Sequence, residues 1–275
     1  MMAGEQVVFV KLGGSVITDK MQPGTARPEV IDRLAGEVAR ALATRSDRQV
    51  VLGHGSGSFG HVVARRYGTR QGARTAGEWR GFAEVAAAAA RLNRIVTDAF
   101  RVAGVPVWSL PPSASARCRS GDLVSLEAFP VGAALAHGLV PLVYGDVALD
   151  EEQGATILST EQVFAYLARR LRPARLILVG VVDGVFERDP LRDPSARPVP
   201  EISAANWQEV RAALGGSHAT DVTGGMLAKV EEMVRLVREL PGLTVHLLSG
   251  ERAGALEAGL LHPAGAVGGT LIRWE

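Results

Sequence analysis

The stretch VVLGHGSGSFGH, Val50–His61, decides the fold class, because a short apolar run leads into a glycine-rich turn and then a helix. Gly55, Gly57 and Gly60 can adopt positive φ angles and let backbone N–H groups approach a bound anion closely. The helix N-terminus adds a partial positive charge, and His61 in its first turn can add one more donor. The stretch therefore predicts a phosphate-binding loop. The alternative is a plain strand-to-helix turn with a structural histidine.

Six further apolar runs have the length of strands, and most are continuous rather than alternating in polarity. Continuous apolar runs are typical of strands that are buried on both faces. The predicted strands are Val7–Leu12, Val50–Gly53, Val105–Trp108, Leu139–Tyr144, Leu176–Val182, Val245–Leu248 and Thr270–Trp274.

Helical patterns with one apolar face alternate with these runs. They cover Pro28–Thr44, Glu78–Val102, Thr160–Leu171 and Met226–Leu240. Alternating strands and helices predict an α/β fold with a mainly parallel sheet and helices on both faces. Ligands of such folds bind beyond the carboxyl ends of the strands. The proline-rich segment Arg188–Pro200 predicts an excursion, or a loop between two parts of one sheet.

The composition indicates a large buried core. Of the 275 residues, 47% are hydrophobic and 21% are charged, and the formal net charge is +1. One large α/β unit or two fused lobes both fit this length. The near-neutral charge argues against binding to nucleic acid or a membrane surface. The single cysteine, Cys118, suits a reducing compartment. With no signal peptide and no apolar run of about 18 residues, we expect a cytoplasmic protein.

The first predicted strand ends in VKLGGSVITDK, which carries Lys11, Gly13, Gly14, Ser15 and Lys20. A glycine pair at a strand end exposes backbone N–H groups to phosphate oxygens, and a lysine lies two residues before it. The order of residues is neither that of a Walker A loop nor that of a dinucleotide fingerprint. The alternative is a tight turn with surface lysines.

A third loop, DVTGGMLAKVEEM, runs from Asp221 to Met233. Thr223 is a good capping residue, and Gly225 opens the predicted helix. Lys229 lies one turn further, where a cation is unfavourable for the helix dipole unless an anion is bound. This loop therefore predicts a second phosphate subsite.

Two weaker signals complete the set. VVDGVFERDP contains Asp183 and Gly184, which are candidates to border a nucleotide base or ribose, although Asp-Gly turns are common. In YGDVALD, Asp146 follows a buried strand. An acid at that point can orient lysines or a metal-bound water, or simply cap a turn.

In their order and spacing, KLGGSVITDK, HGSGSFGH, YGDV, VDGV and DVTGGM-x-x-K resemble the amino acid kinase superfamily and, within it, the isopentenyl phosphate kinases. The resemblance runs from Val8 to about Val237. Its discriminating feature is His61, because relatives that phosphorylate carboxylates or carbamate have a glycine-rich loop there without this histidine.

The resemblance implies an open, mainly parallel, three-layer αβα sandwich that is usually a homodimer. It implies a single domain over residues 1–275, with an acceptor-binding lobe at about 1–150 and a nucleotide-binding lobe at about 151–275. The implied reaction is the ATP-dependent phosphorylation of isopentenyl phosphate to isopentenyl diphosphate, with Mg²⁺ as the accompanying ion.

By position, the resemblance also implies roles for individual residues. Lys11 and the backbone of Gly13, Gly14 and Ser15 would hold the transferring phosphate. Gly55, Gly60 and His61 would hold the acceptor phosphate, with Lys20 close to the acceptor or the transition state, and Asp146 would organise the lysines. The residues that would border ATP are Ser56, Asp183, Gly184, Phe186, Thr223, Gly225 and Lys229.

The chain differs from the common family pattern at three places. Many members have Ser-Gly-Asp-Asp where this chain has Ser-Thr-Glu-Gln, residues 159–162, which leaves one acid, Glu161, a methylene longer. Ser56 also replaces the middle glycine of a commoner form, and Val181 stands where another aspartate is common. These changes leave the organisation of any metal-bound water open.

Other residues receive structural or secondary roles. His54 is predicted to be structural, and His137, His218, His246 and His262 to be turn or core residues. An apolar acceptor needs a pocket, for which the candidates are Tyr67, Trp79, Phe82 and Val85, although each alone fits the core equally well. Two alternative functions stay open: a kinase for another small phosphate or phosphonate, of the fosfomycin type, and a non-catalytic anion-binding module.

Overall fold

The computed structural model describes residues 7–190, 193–215, 225–263 and 266–274. Its helices are α1 (Gly14–Ile17), α2 (Pro28–Thr44), α3 (Gly57–Tyr67), α4 (Ala76–Val102), α5 (Phe129–Ala136), α6 (Thr160–Leu171), α7 (Trp207–Gly215), α8 (Gly225–Glu239) and α9 (Ala255–Leu261), with 3₁₀ turns at Thr69–Gln71 and Pro112–Ala114. Its strands are β1 (Val7–Leu12), β2 (Gln49–His54), β3 (Val107–Ser109), β4 (Arg117–Arg119), β5 (Asp122–Ser125), β6 (Val140–Tyr144), β7 (Asp146–Asp150), β8 (Gly154–Leu158), β9 (Arg175–Gly180), β10 (Val185–Phe186), β11 (Pro198–Val199), β12 (Glu201–Ile202), β13 (Thr244–Ser249) and β14 (Thr270–Ile272).

An eight-stranded sheet in the order β12-β14-β13-β9-β1-β2-β6-β3 forms the centre of the molecule. From β13 to β3 all neighbouring strands are parallel, whereas β14 runs antiparallel to β13 and parallel to β12. All six residues of β1 are buried, as expected for a strand covered on both faces. The carboxyl ends of β1, β2, β6 and β9 therefore meet at one edge of the sheet.

Two apolar clusters cover the two faces of this sheet. On one face Ile31 and Leu34 of α2 pack with Leu92 of α4 and Leu260 of α9. On the other face α6 and α8 supply most of the contacts, through residues such as Phe164, Leu167, Val230, Met233, Val234 and Val237. The predicted three-layer αβα sandwich with an open, mainly parallel sheet is confirmed. No helix in the described part of the chain is long and apolar enough to cross a membrane.

The main elements follow the predicted bounds, and the short strands do not. The bounds of β1, α2 and α6 agree with the prediction, and β9 and β14 end two residues before their predicted ends. The sequence did not predict the second sheet, β5-β4-β7-β8. Its strands have only three to five residues and include polar side chains, so they show no hydrophobic periodicity that would indicate a strand. The predicted excursion Arg188–Pro200 includes β11 itself, which pairs antiparallel with β10; of the connection between these two strands the structure describes residues 187–190 and 193–197.

Candidate active site

The glycine loops after β1 and β2 lie directly against each other. The N–H of Gly13 donates to the carbonyl of Val179 at 2.8 Å, which ties the first loop to the end of β9. A Cβ on Gly14 would lie 2.4 Å from the nitrogen of Gly57, and a Cβ on Gly55 would lie 2.9 Å from the nitrogen of Gly14. Real Cβ atoms do not approach backbone so closely, so only glycine allows the two loops to form one surface.

Backbone N–H groups converge on this surface. α1 begins at Gly14 and α3 begins at Gly57, whose φ angle of +49° favours glycine. Within the described residues, the N–H groups of Gly14, Ser15, Ser56 and Gly57 donate to no acceptor. Two adjacent helix starts with free donors form an arrangement suited to anionic oxygens.

The donors differ from those that the resemblance implied. The N–H of Gly55 donates to the carbonyl of Leu12 at 3.0 Å, and the N–H of Gly60 donates to the carbonyl of Ser56 at 3.2 Å. Both groups are therefore engaged within the protein, and Ser56 and Gly57 offer the donors of this loop instead. Gly60 has a packing reason to be glycine, because a Cβ there would lie 2.6 Å from the side chain of Ser56.

Thr18 is a buried residue that joins the two loops, and the sequence analysis did not single it out. Its hydroxyl donates to the carbonyl of Gly14 at 2.7 Å and accepts the N–H of Ser58 at 3.0 Å. The available signal was its position four residues after Gly14, where a threonine hydroxyl reaches back to the helical carbonyl. Thr18 therefore holds the start of α3 against α1.

Lys11 makes the central ionic contact of the site. Its Nζ donates to Glu161 Oε1 at 2.5 Å, and the two side chains are only 8% and 14% exposed. Burial on its own raises the pKa of Glu161, but the charges of Lys11 and Lys229 and the hydrogen bond from Lys11 outweigh it and keep the pKa below its usual value. The carboxylate of Glu161 thus contacts the ammonium of Lys11, from β1, and its pKa is also lowered by the charge of Lys229, from α8.

The lysine content of the chain supports this view of the site. The chain has three lysines against 27 arginines, and all three lysines lie in the predicted loops: Lys11, Lys20 and Lys229. An ammonium group is compact and can approach a phosphate from one direction, whereas a guanidinium is planar and larger. All other Lys or Arg positions of the chain are arginine, so lysine occurs only in the loops that the sequence assigns to the site.

The predicted organiser of the lysines, Asp146, makes other contacts. Its buried carboxylate accepts the N–H of Ser113 at 3.2 Å and that of Val147 at 2.9 Å. Burial raises the pKa of Asp146, and this effect is larger than the opposite effect of its hydrogen bonds. The carboxylate that contacts Lys11 is Glu161, from the segment in which the chain departs from the family pattern. Glu161 reaches Lys11 from the first turn of α6.

We expect Glu161→Gln to lower kcat by about tenfold or more, because a hydrogen-bonded charge partner contributes on the order of 1.5–3 kcal/mol. The amide keeps the size of the side chain but no longer fixes two ammonium groups by charge. Steady-state kinetics in both substrates would measure the effect, with the thermal midpoint of unfolding as the control for folding. A kcat equal to that of the wild type would contradict the positioning role of Glu161.

Lys20 and His61 lie on the solvent side of the loops. Both side chains are exposed, and His61 is the fifth residue of α3. An open cavity of about 580 Å³ lies beside the first loop, lined by Ser15, Thr18 and Lys20 and bordered by the ion pair of Arg27 with Glu251. A solvent-open space next to the free N–H groups and two of the predicted site residues is suited to a small anionic ligand.

This arrangement of glycine loops and lysines at the carboxyl edge of a parallel sheet agrees with the comparison with known proteins. Residues 6–249 match the model of the amino acid kinase family. The chain belongs to the amino acid kinase family.

Within the amino acid kinase family, the chain is similar to isopentenyl phosphate kinases. That of Haloferax volcanii is 37% identical over 272 residues, covering 98% of this chain and 99% of the relative. That of Methanothermobacter thermautotrophicus is 34% identical over 263 residues, covering 93% and 95%. An X-ray structure of an isopentenyl phosphate kinase matches with a TM-score of 0.79 at 30% identity, covering 97% of this chain and 100% of that chain. The resemblance predicted from the five motifs is confirmed.

Several residues expected to border a nucleotide lie on the other half of this amino acid kinase sheet. Asp183 accepts the N–H of Ser249 at 3.0 Å and pairs with Arg252 at 3.3 Å, so its carboxylate fixes two loops at the sheet edge. Gly184 has a φ angle of +97°, and a Cβ there would lie 2.5 Å from Thr270 Oγ1. Phe186 is half-buried in β10, and Gly225 begins α8. Thr223 lies outside the described residues.

His54 packs inside the protein, as predicted for a structural residue. Its ring is stacked on Tyr144 with centroids 5.5 Å apart, and its Nε2 lies 3.2 Å from Asn93 Oδ1. Burial lowers the pKa of His54 to about 4, so the imidazole is neutral at pH 7. His246 is also buried, with Nε2 2.6 Å from the carbonyl of Gly268, whereas His137 and His262 are exposed and His218 lies outside the described residues.

The four candidates for an apolar pocket separate into two kinds. Val85 is buried, and a Cβ on Gly81 would lie 2.4 Å from Tyr67 Cβ, so Tyr67 packs tightly between α3 and α4. Trp79 is 39% exposed and meets Phe82 edge to face, with ring centroids 5.5 Å apart. Trp79 and Phe82 therefore remain the candidates that a ligand can reach.

Proposed function

We propose that this protein transfers the γ-phosphate of ATP to isopentenyl phosphate and forms isopentenyl diphosphate, a step of isoprenoid precursor synthesis. The observation that carries the proposal is the meeting of two glycine loops with free N–H groups beside the Lys11–Glu161–Lys229 cluster. Similarity to isopentenyl phosphate kinases over nearly the whole chain supports the choice of acceptor.

The chemistry explains why the site needs cations and N–H donors rather than a general base. A phosphate monoester has a second pKa of about 6, so its oxygen is already an anionic nucleophile at neutral pH. Two anions held a few ångströms apart repel by several kcal/mol even at an effective dielectric constant of about 20. Phosphoryl transfer is therefore accelerated mainly by positioning and by charge stabilisation.

In the proposed reaction, an oxygen of the acceptor phosphate forms a bond to the γ-phosphorus as the bond to the bridging oxygen of ADP breaks. Lys11 and the N–H groups of Gly14 and Ser15 hold the transferring group, and Lys229 faces it from α8. Glu161 fixes the two ammonium groups. The N–H groups of Ser56 and Gly57, with His61 and Lys20, hold the acceptor phosphate in line.

Magnesium enters the proposal as the ion that accompanies ATP. Among the described residues, no group of three or more His, Cys, Asp or Glu side chains is placed to hold a metal ion. Glu161 is engaged by Lys11, and Asp146 by backbone N–H groups. Mg²⁺ usually keeps several waters and binds substrate phosphates, where it neutralises part of their charge. We therefore assign it to the oxygens of ATP rather than to a protein cage.

Four finer statements belong to the same proposal. The resemblance implies a homodimer, a place beside the mevalonate pathway, and an acceptor-binding lobe at about 1–150 with a nucleotide-binding lobe at about 151–275. The cytoplasmic location is expected from the sequence itself, whose single cysteine suits a reducing compartment. Each stays a prediction, and sedimentation of the purified protein would test the first.

A panel of acceptors tests the function directly. Purified protein with Mg²⁺ and ATP is assayed with isopentenyl phosphate, dimethylallyl phosphate, geranyl phosphate and fosfomycin, and ADP release is measured. We expect the highest kcat/KM with isopentenyl phosphate. A preference for fosfomycin would indicate a phosphonate acceptor instead of isopentenyl phosphate. An ATP turnover that no acceptor raises would favour a non-catalytic anion-binding module.

The length of the accepted chain is expected to depend on Trp79 and Phe82. Trp79→Ala or Phe82→Ala should raise kcat/KM for geranyl phosphate relative to isopentenyl phosphate by roughly tenfold, because each newly buried methylene contributes up to ~0.8 kcal/mol. Competition between the two acceptors measures the ratio. Alanine variants at Tyr67, Trp79, Phe82 and Val85 that all keep the preference for the short acceptor would contradict the assignment of this pocket.

A further inference from the structure

Three segments of the proposed phosphate site meet at Thr18, a residue that has no part in the transfer as described above. Thr18 is 1% exposed and ends α1, where its N–H donates to the carbonyl of Gly14 at 3.0 Å. It also pairs with Ala26 in an isolated antiparallel bridge. The intervening segment 19–25 carries Lys20. The main chain of Thr18 therefore connects the glycine loop after β1 with the segment that carries this lysine.

The side chain of Thr18 reaches the third segment, which is the start of α3. Its hydroxyl donates to the carbonyl of Gly14 at 2.7 Å and accepts the N–H of Ser58 at 3.0 Å. The contact is close, because a Cβ on Gly57 would lie 2.3 Å from Thr18 Oγ1. The N–H of Ser58 belongs to the first turn of α3 and has no acceptor within that helix. One hydroxyl thus joins the glycine loops after β1 and β2.

The hydroxyl of Thr18 serves the protein rather than a ligand. A hydroxyl has one proton and two lone pairs. In Thr18 the proton is donated to the carbonyl of Gly14, so the group has no donor left for a phosphate oxygen. Thr18 lines the open cavity beside Lys20, but its remaining lone pair would repel an anion there. Its position in the site therefore points to a role in placing other groups.

The segment 19–25, which carries Lys20, is attached to α3 at the same place. The N–H of Gly24 donates to the carbonyl of Ser58 at 3.4 Å, and Ser58 Oγ donates to the carbonyl of Gln22 at 3.4 Å. Both contacts are longer than the 3.0 Å bond from the N–H of Ser58 to the buried hydroxyl. The position of the lysine relative to α3 therefore depends on the same contact with Ser58.

We propose that Thr18 is a positioning residue that fixes the separation between the transferring and the acceptor phosphate. The proposal rests on the proposed function, which assigns the loop after β1 to the transferring phosphate and the loop after β2, with Lys20, to the acceptor phosphate. Two phosphates repel each other, and transfer needs the reacting atoms about 3–3.5 Å apart. A displacement of about 1 Å can lower the rate by roughly 100-fold. Because one hydroxyl holds both loops, it sets this distance before either substrate binds.

Thr18→Val tests the proposal, because valine keeps the shape of threonine and removes the hydroxyl. In single-turnover quenched-flow measurements with saturating Mg²⁺, ATP and isopentenyl phosphate, we expect the rate of transfer to fall roughly 10- to 100-fold. The KM for ATP should stay within about a factor of three of the wild type, because the groups that hold the nucleotide are still present. Thr18→Ser restores the hydroxyl and should keep most of the wild-type rate.

Thr97→Val is the matched control. The hydroxyl of Thr97 is also buried and also donates to the carbonyl four residues earlier, that of Asn93, at 2.7 Å, but this contact lies within α4. The control measures what the loss of a buried threonine hydroxyl does by itself. Its transfer rate should equal that of the wild type, and thermal unfolding of each variant reports the effect on stability.

A wild-type transfer rate in Thr18→Val would overturn the proposal, even if the midpoint of unfolding falls, because the hydroxyl would then serve stability alone. A higher KM for ATP with an unchanged rate would indicate a binding role and would also overturn it. If Thr18→Val does not fold, Thr18→Ala takes its place, and failure of both to fold would show a general structural requirement and overturn the positioning role. A wild type that transfers phosphate to no acceptor of the panel would overturn the proposed function, whereas wild-type transfer with an unchanged rate in Thr18→Val would overturn only this inference.

Discussion

Lys11→Ala is expected to lower kcat by about 100-fold or more, which corresponds to ~3 kcal/mol, because the lysine contacts charge that grows in the transition state. Its ammonium lies 2.5 Å from Glu161, and Lys11 is on the strand that leads into the loop with the free N–H groups of Gly14 and Ser15. Lys11→Arg should also be impaired, since a planar guanidinium does not fit the nearly buried place of an ammonium. Steady-state kinetics with both substrates measure the loss.

A double variant separates two causes of this loss. Removal of Lys11 alone leaves Glu161 without its nearest partner, so part of the effect can come from an uncompensated carboxylate. In Lys11→Ala with Glu161→Gln that charge is absent, and we expect kcat to stay low because the contact with the transferring phosphate is still missing. Arg45→Ala, an exposed position paired with Asp47 at the opposite edge of the sheet, is the control. A kcat for Lys11→Ala within a factor of about three of the wild type would refute the assigned role.

His61→Ala is expected to reduce kcat/KM for isopentenyl phosphate by ~2–4 kcal/mol, roughly 30- to 1000-fold, because the acceptor would be held less well and aimed less well. An imidazole N–H gives a directed hydrogen bond to a phosphate oxygen, stronger when the ring is charged. His61→Asn and His61→Gln keep a neutral donor and should retain more activity than alanine. The KM for ATP should change little.

The neighbouring residue supplies the control for His61. Val62 is 45% exposed on the same turn of α3, and Val62→Ala should leave the kinetics of both substrates unchanged. The decisive measurement is the pair of KM values for each variant. Unchanged acceptor kinetics in His61→Ala, or a loss confined to the KM for ATP, would remove the main reason for a phosphate monoester as the acceptor.

The sequence alone was sufficient for the family, the sandwich and the position of the loops. The family and its sandwich came from the resemblance carried by five motifs. The mainly parallel sheet and the loops depend on local patterns: continuous apolar runs for buried strands, one apolar face for each long helix, and glycines where backbone must turn sharply. The short strands of the second sheet were missed, since their stability comes from pairing with each other and not from their own residues.

The partners within the site were decided by the tertiary structure. Lys11 and Glu161 are 150 residues apart in the chain, and Thr18 meets Ser58 across 40 residues. No local pattern records such a pair, because the packing of β1, α3 and α6 brings the side chains together. The same holds for the N–H groups of Gly55 and Gly60: their glycines mark the loop in the sequence, but only the folded backbone determines which donors are engaged and which stay free for an anion.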